Sequence, residues 1–353
     1  MDSFIEIKGR KIGHGQPAYI IAEMSANHNQ DYDRAVRIIE TAKEIGADAV
    51  KLQTYTPDTM TINSKKEHFR IKGTIWEDRN LYELYGEAYT PWEWQPRLKK
   101  VADDLDITLL STAFDDSAVD FLEKMGVPAY KVASFEIVDI PLLKKISKTG
   151  KPVIMSTGMA TLSEIDEAVK TIREAGCSEL ALLHCVSAYP TPPEEINLKT
   201  IPHLREAFGV PVGLSDHTLG TAVSIAAVAL GACIIEKHFT LSRKIPGPDS
   251  IFSMEPHEFK SIIEAVRTAE KAIGLVDHSL TDKEKESLVF RRSLFVVKDI
   301  KAGELFTSKN VRSIRPGYGL HTRYLEVIMG RRATVDIETG TPLTWELIGG
   351  KER

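Results

Sequence analysis

Short apolar runs alternate along the chain with longer segments in which apolar residues recur every three or four positions. Each run has the length of a buried strand, and each following segment has the period of a helix that packs by one face. The predicted strands are residues 18–24, 49–55, 108–114, 129–135, 152–158, 180–186, 211–217 and 233–239. The predicted helices include residues 33–45, 163–175 and 256–273. Eight strand–helix units in succession predict a (β/α)8 barrel, the TIM-barrel class of α/β fold.

A doubly wound open sheet is the rival architecture for the same alternation. The open sheet is disfavoured because eight strand–helix units occur and because no Gly-x-Gly-x-x-Gly sequence follows the first strand. Two segments interrupt the pattern: the aromatic-rich stretch 56–90, before a helix that begins near Pro91, and the proline-rich stretch 189–197. A connection as long as 56–90 is usually functional or has a small structure of its own, and its role stays open.

The pattern changes after about residue 280. Residues 281–292 read as a charged linker, and residues 293–353 read as short strands separated by glycine turns. Within them KDIKAGELFT (298–307) resembles VDIETGTPLT (335–344), which predicts a small two-lobed β domain. The sequence thus predicts a barrel domain over residues 1–280 and a β domain too small to bury much surface alone.

Composition excludes several classes of protein. The net charge of −5 gives no bulk electrostatic reason to bind nucleic acid. The cysteines Cys177, Cys185 and Cys233 are widely spaced in apolar surroundings, which indicates buried thiols rather than disulfides or a zinc cluster. No signal peptide is recognisable, and the longest weakly polar run, 222–235, is too short for a membrane span. We therefore expect a cytoplasmic protein without a membrane partner.

Polar side chains stand where nearly every predicted strand ends, which is the reactive edge of a barrel of this kind. They are Glu23, Lys51, Gln53, Thr112, Lys131, Ser134, Glu136, Ser156, His184, Ser187, Tyr189, Ser215, Asp216, His217, Glu236 and His238. Lysine charge combined with hydroxyl donors is what a phosphate or carboxylate requires, so an anion site without a P-loop is predicted. For Lys51 or Lys131 alone, the alternative is a side chain that reaches solvent from the strand end.

His217 and His238 end two successive strands, and alternation directs both imidazoles to one space if the strands are parallel neighbours. Neutral imidazoles with open positions suit Mn²⁺, Co²⁺, Fe²⁺ or Zn²⁺. The alternative for a single histidine is a hydrogen-bonded core residue, whereas the pair favours a metal. A Schiff-base aldolase that uses Lys51, Lys131 or Lys237 stays open as a rival. Lys237 is its poorest nucleophile, because alternation points it away from His238.

Many of these residues lie in segments that resemble, in order, the sialic acid synthase family of phosphoenolpyruvate-dependent nonulosonic acid synthases. The barrel segments are IAEMSANH, VKLQTY, STAF, YKVASFE, MSTGM, LLHCVSAYPTP, GLSDHT, EKHFT and GPDS. RRSLFVVKDIKAGE and IRPGYG are similar to the family's C-terminal antifreeze-like (SAF) domain. The resemblance covers nearly the whole chain, and it implies a TIM barrel followed by a SAF domain of the β-clip type.

Within the family, four features resemble the branch that makes pseudaminic acid rather than the N-acetylneuraminate branch. They are QTYTPDTMT, FRIKGTIW, LYELYGEAYTPWEW and Ser187, where the latter branch typically has Asn. The implied reaction joins phosphoenolpyruvate to 2,4-diacetamido-2,4,6-trideoxy-L-altrose. The alternative acceptor is N-acetylmannosamine or its 2,4-diacetamido analogue, the legionaminate precursor. A sugar-binding or antifreeze-like protein without catalysis is disfavoured by the lysines and the histidine pair.

The resemblance also implies a role for each residue. Phosphoenolpyruvate would contact Lys51, Thr112, Lys131, Ser134, Ser156, Ser187 and Ser215. A metal, usually Mn²⁺ with Co²⁺ or Mg²⁺ as alternatives, would be held by His217 and His238 and would polarise the aldehyde of the open-chain sugar. C3 of phosphoenolpyruvate would attack that aldehyde, water would add at C2, and phosphate would leave with C–O cleavage.

The resemblance also implies that Gln53, Tyr189 and Asp249 contact the acceptor sugar, because they match sugar-binding positions of the family. Glu23 is the best candidate for the general acid or base, and Glu136 and Glu236 would assist catalysis in unassigned roles. Arg315 in IRPGYG matches an arginine that one subunit inserts over the barrel of the other. A domain-swapped homodimer is thus implied.

Overall fold

The computed structural model describes residues 3–73 and 75–351. The chain divides into two compact units, Met1–Gly274 and Leu275–Arg353. The predicted linker 281–292 contains a short helix, Asp282–Glu286, and a 3-10 helix, Ser287–Phe290.

The first unit is a closed barrel of eight parallel strands, which confirms the predicted TIM barrel. An antiparallel hairpin, β1 (Phe4–Ile7) and β2 (Arg10–Gly13), precedes it. The barrel strands are β3 (Tyr19–Glu23), β4 (Ala49–Thr54), β5 (Thr108–Ala113), β6 (Tyr130–Val132), β7 (Val153–Ser156), β8 (Leu180–Cys185), β9 (Val212–Asp216) and β10 (Ile234–His238). They follow one another around the barrel in chain order, and β10 pairs with β3 to close it.

The helices that surround this barrel follow the strands in alternation. They are α1 (Tyr32–Glu44), α2 (Pro57–Met60), α3 (Leu81–Ala88), α4 (Gln95–Asp104), α5 (Asp116–Met125), α6 (Ile140–Ser147), α7 (Leu162–Glu174), α8 (Thr200–Phe208), α9 (Ala222–Ala229) and α10 (Pro256–Ile273). Local chemistry sets their first turns: the Asp31 side chain accepts from the Arg34 N–H, and Thr161 and Glu164 form a capping box at α7. The apolar faces of α1 and of α4 to α10 pack on the outside of the strands.

The amino end of the barrel is filled by apolar side chains. Ile5, Ile7 and Ile12 of the hairpin are buried in one cluster with inward-facing residues such as Ile21 and Leu110. Because this end is filled, polar side chains inside the barrel collect at the carboxyl ends of the strands. The hairpin was not predicted from the sequence.

The long connection 56–90 has some structure of its own. It contains α2, a 3-10 helix at Glu67–Phe69, and α3. The helix that was predicted to begin near Pro91 begins at Gln95, and the Trp92 indole donates to the Tyr55 carbonyl at 3.0 Å. This bond ties the end of the connection back to β4.

The second unit contains α11 (Asp282–Glu286), β11 (Ser293–Val296), β12 (Val311–Ile314), α12 (Leu325–Ile328), β13 (Arg331–Ala333) and β14 (Ile348–Lys351). The internal repeat takes equivalent structures: Ile300 and Ile337 pair with each other, with N···O distances of 2.9 and 2.8 Å. Phe306 and Leu343 occupy matching repeat positions and are both fully buried. The two repeats are therefore the two halves of one small core.

Within the described residues, we find no helix with the length and apolar character needed to cross a membrane.

Candidate active site

Strand register gathers the charged side chains inside the carboxyl end of the barrel. Glu23 on β3 lies beside Lys51 on β4 and beside His238 on β10, while Thr112 on β5 lies beside Lys131 on β6. The charged side chains among them are almost inaccessible to solvent, with 1% of Glu23, 4% of Lys51 and 2% of Lys131 exposed. Charges buried this deeply require partners, and they find them in one another.

Lys51 lies between two carboxylates. Its Nζ is 2.6 Å from Glu23 Oε2 and 3.7 Å from Glu236 Oε1, and it donates to Thr112 Oγ1 at 3.0 Å. Burial lowers the pKa of Lys51, but the two carboxylates outweigh that effect and raise it above the ordinary value. Lys51 is therefore a fixed positive charge.

Lys131 is held mainly by neutral groups. Its Nζ donates to Ser156 Oγ at 2.6 Å and to the Val132 carbonyl at 2.8 Å, while Glu236 Oε1 is 3.9 Å away. Burial accordingly lowers the pKa of Lys131. An anion bound beside this ammonium would restore the pKa, so anion binding and protonation of Lys131 support each other.

The two carboxyl groups of the cluster differ in protonation. Burial raises the pKa of Glu236, but the opposing effect of Lys131 and Lys51 is larger. The pKa of Glu236 therefore lies below its usual range. Ser215 Oγ also donates to Glu236 Oε1 at 3.4 Å. At Glu23 burial prevails over Lys51 and raises the pKa to about 7. Glu236 is thus a fixed negative charge, whereas Glu23 can give or take a proton near neutral pH.

A glycine brings two serine hydroxyls together near this cluster. The Gly158 N–H donates to Ser134 Oγ at 3.1 Å. A Cβ at Gly158 would lie 2.4 Å from Ser187 Oγ and 2.7 Å from Ser134 Oγ, so a larger residue would displace one or both hydroxyls. The two hydroxyls and the Lys131–Ser156 pair, all from loops or strand ends of β6 to β8, form a set of donors suited to a phosphate. Gly158 was not singled out from the sequence.

The predicted metal histidines lie on neighbouring strands, with ring centroids 5.5 Å apart. His217 Nδ1 donates to the Val186 carbonyl at 3.0 Å, which leaves the lone pair of a neutral ring on Nε2. His238 Nδ1 is buried and has no hydrogen-bond partner among the described residues. Burial, followed by the nearby His217, lowers the pKa of His238 well below its ordinary value, so this ring is neutral. Two imidazole nitrogens are thus suited to a divalent cation.

The surroundings of His217 also favour positive charge at this position, which either a proton on the ring or a bound metal ion supplies. Burial lowers its pKa, but Cys185 and the Val186 carbonyl raise it above the ordinary value. Cys185 Sγ is 3.9 Å from His217 Nδ1, and although burial raises the thiol's pKa, His217 lowers it to about 7. Among the described residues no group of three or more His, Cys, Asp or Glu is placed to hold a metal. A cation here would need water or substrate to complete its coordination.

Aromatic rings cover the histidine pair. The Tyr189 ring centroid is 4.3 Å from that of His217, and the Phe252 centroid is 4.9 Å from that of His238. Trp76, from the connection 56–90, lies 5.8 Å from Tyr189. Neither Phe252 nor Trp76 was predicted as a site residue, because neither lies at a strand end. The only sequence signal for Trp76 was the richness of segment 56–90 in aromatic residues.

Gln53 and Asp249, predicted on the sugar side, meet through a residue that sequence reasoning missed. Ser25 Oγ donates to Asp249 Oδ2 at 2.5 Å and accepts from Gln53 Nε2 at 2.9 Å. Gln53 Nε2 also donates to Glu23 Oε1 at 3.1 Å. Burial raises the pKa of Asp249, against hydrogen bonds that lower it. This network links the Glu23 carboxyl group to the loop that follows β10.

Three further residues were predicted from the sequence. Glu136 is on the 3-10 helix Ser134–Val138, where burial raises its pKa to about 7 and its Oε2 has no hydrogen-bond partner among the described residues. Arg315 belongs to the second unit and is exposed. His184 bonds the Ile196 carbonyl, as a core histidine does.

Lys237 points to the helix side of the barrel, as strand alternation indicated. It forms a buried ion pair with Asp216, with Nζ 2.9 Å from Oδ2, and donates to the Thr218 carbonyl. The Asp216 carboxylate also accepts from Ser224 at the start of α9. The pair therefore fixes β9 to β10 directly behind His217 and His238, and Lys237 has no access to the inside of the barrel.

The fold and the buried charges define a TIM-barrel enzyme whose carboxyl end has the lysines and hydroxyls suited to an anion. The chain belongs to the NeuB family, whose model matches residues 38–278, and a SAF domain model matches residues 291–348. Both matches confirm the resemblance read from the sequence.

Named relatives agree with this assignment. The pseudaminic acid synthase of Helicobacter pylori is 46% identical, over 93% of this chain and 97% of the relative. The N,N'-diacetyllegionaminic acid synthase of Campylobacter jejuni is 40% identical, over 89% of this chain and 95% of the relative. The crystal structure of an N-acetylneuraminic acid synthetase from Leptospira borgpetersenii, in complex with citrate, has a TM-score of 0.73 at 32% identity and covers 82% of this chain and 96% of its own.

Proposed function

We propose that this chain is a pseudaminic acid synthase, which condenses phosphoenolpyruvate with 2,4-diacetamido-2,4,6-trideoxy-L-altrose and water and releases phosphate. The observation that carries the proposal is the buried cluster of Lys51, Lys131 and Glu236 beside a glutamate with a pKa of about 7. The 46% identity to the Helicobacter pylori enzyme supports the same reaction.

Phosphoenolpyruvate carries a phosphate and a carboxylate, and the site has donors for both. Lys51 and Lys131 supply two ammonium groups and Glu236 neutralises one of them, so the cluster has a net positive charge for the substrate when Glu23 is protonated. The hydroxyls of Thr112, Ser134, Ser156, Ser187 and Ser215 supply neutral donors around it. A dry site of this kind strengthens each of these contacts relative to water.

The condensation then forms a C–C bond from C3 of phosphoenolpyruvate to the aldehyde carbon of the open-chain sugar. Water adds to the cation left at C2, and the tetrahedral product loses phosphate by cleavage of its C–O bond. Glu23 is the residue that exchanges a proton with the reacting groups, because its pKa of about 7 allows both directions near neutral pH. Lys51, at 2.6 Å, keeps Glu23 in place throughout.

We assign the metal role to His217 and His238, with Mn²⁺ as the expected ion and Co²⁺ or Mg²⁺ as alternatives. A bound ion there would polarise the aldehyde oxygen of the open-chain sugar. The unpartnered Nδ1 of His238 and the neutral state of its ring support this assignment.

The second candidate is the same reaction on a different acceptor. N-acetylmannosamine or the legionaminate precursor is supported by the 40% identity to a legionaminic acid synthase and by the fold shared with an N-acetylneuraminic acid synthetase. Identity over the chain is higher to the pseudaminic acid synthase, which is why that acceptor is preferred.

The test is release of phosphate by purified protein supplied with phosphoenolpyruvate, Mn²⁺ and each acceptor in turn. We expect turnover that requires both substrates and is fastest with 2,4-diacetamido-2,4,6-trideoxy-L-altrose. Lys131→Met is the control, because it removes one ammonium and should abolish release. Turnover with N-acetylmannosamine alone would refute the acceptor, and activity that resists chelators while borohydride traps a lysine adduct would refute the chemistry.

We also propose a domain-swapped homodimer in which Arg315 reaches the partner's barrel. Loops after four barrel strands expose apolar side chains: Phe135 is 60%, Met159 60%, Leu219 55% and Ile251 66% accessible. Apolar residues grouped around one end of a barrel support an interface there.

The three cysteines are unpaired, which supports a reducing, cytoplasmic location for the enzyme.

A further inference from the structure

Ser25 has a backbone conformation that its side chain disfavours. It lies two residues after the end of β3, its φ is 46°, and 2% of it is exposed. At positive φ the Cβ of an L-residue crowds the backbone, and glycine is the residue that avoids this. A serine kept at such a buried position indicates that its hydroxyl has a function, since glycine would fit the backbone better.

The hydroxyl of Ser25 joins two residues of the proposed sugar side. It donates to Asp249 Oδ2 at 2.5 Å, and because a hydroxyl has one proton it must accept from Gln53 Nε2, at 2.9 Å. The Ala26 N–H adds a second donor to Asp249 Oδ2 at 3.3 Å. The direction of every bond is therefore fixed, from Gln53 through Ser25 to Asp249.

This arrangement decides what the pair offers to a ligand. The two N–H donors of the Gln53 amide bond Ser25 and Glu23. The amide oxygen, Oε1, is therefore the atom left to bind a ligand. Asp249 has Oδ2 occupied by two donors and offers Oδ1. Both remaining atoms are acceptors, which match the N–H groups of acetamido substituents and the hydroxyls of a sugar.

We propose that Ser25 is a positioning residue for the acceptor sugar, holding Gln53 and Asp249 so that both present acceptors to the sugar's acetamido N–H or hydroxyl groups. The proposal rests on the proposed function, in that it assumes a condensation with an amino sugar. Ser25 has no hydrogen bond to either lysine of the anion cluster, so its loss should leave the binding of phosphoenolpyruvate unchanged.

The experiment compares Ser25→Gly and Ser25→Ala with wild type by steady-state kinetics and thermal unfolding. Both variants lose the hydroxyl, and we expect the KM for the acceptor to rise about tenfold. The KM for phosphoenolpyruvate should stay within about twofold, because its donors are untouched. Ser25→Gly should also melt higher than Ser25→Ala, since both lack the hydroxyl and only glycine relieves the backbone.

Lys8→Gly is the matched control, because Lys8 has a φ of 49° in an exposed turn of the hairpin. It removes the same backbone crowding far from the site, so its KM values should equal those of wild type. An unchanged acceptor KM in both Ser25 variants would overturn the proposal, and so would a parallel rise in both KM values.

Failure of the proposed function gives a different result. If wild type uses another amino sugar, the same comparison is made with that sugar. If wild type turns over none, crystal structures of wild type and Ser25→Gly decide the question. We expect the Asp249 or Gln53 side chain to change rotamer in the variant, and unchanged rotamers would overturn the role of Ser25.

Discussion

Glu23 and Glu236 lie in the same cluster of buried charges, yet their pKa values move in opposite directions. Glu236 faces both lysines and stays ionised, whereas burial raises the pKa of Glu23 to about 7 despite its contact with Lys51. When two carboxyl groups of one site have different pKa values, one can stay ionised while the other donates and accepts protons. This division is the residue-level basis for assigning Glu23 the proton transfer.

His238→Ala is the residue-level test of the metal assignment. Wild type should bind about one Mn²⁺ per chain, and the variant should bind it more than about tenfold more weakly, because one of two protein ligands is lost. Electron paramagnetic resonance of free Mn²⁺ measures this without requiring turnover. The variant should stay folded, since His238 Nδ1 has no hydrogen-bond partner among the described residues to lose.

His203→Ala serves as the control, because His203 is an exposed histidine on α8. It should bind Mn²⁺ as wild type does. Equal affinity in His238→Ala and wild type would remove His238 from the metal site.

At the level of elements, the barrel strands were predictable because each is buried on both faces and is largely apolar up to its carboxyl end. The helices were predictable from their apolar faces, and the predicted range 256–273 is the observed α10. The hairpin of β1 and β2 was missed because two strands of four residues give too short an alternation to recognise.

The candidate site was predictable only where its residues lie on strands. Lys51 and Lys131 were predicted because the end of a strand has a known place in a barrel. The role of Ser25 was not, because its partner Asp249 lies 224 residues away in a loop. The positive φ of Ser25 and the close approach of Gly158 to two hydroxyls are tertiary facts without a local signal. Contacts of this kind require the folded chain.

At the level of the whole molecule, the proposed dimer would make each active site depend on two chains. Mixing the inactive variants His238→Ala and Arg315→Ala under conditions that exchange subunits should then restore activity. A mixed dimer pairs one intact barrel with one intact arginine, so random exchange should recover about a quarter of wild-type activity.

If Arg315 instead served the barrel of its own chain, no mixed dimer would contain a complete site. The mixture would then stay inactive. Size-exclusion chromatography should show that each variant is a dimer, and exchange is checked by the appearance of mixed dimers when one variant carries an affinity tag.

The choice of acceptor is the most direct test of the central claim. Limiting phosphoenolpyruvate is offered to the enzyme with equal concentrations of 2,4-diacetamido-2,4,6-trideoxy-L-altrose, N-acetylmannosamine and the legionaminate precursor. The products are separated by chromatography and identified by NMR, because two of them are isomers of equal mass. We expect pseudaminic acid to be the dominant product, and a mixture dominated by N-acetylneuraminic or legionaminic acid would contradict the proposed function.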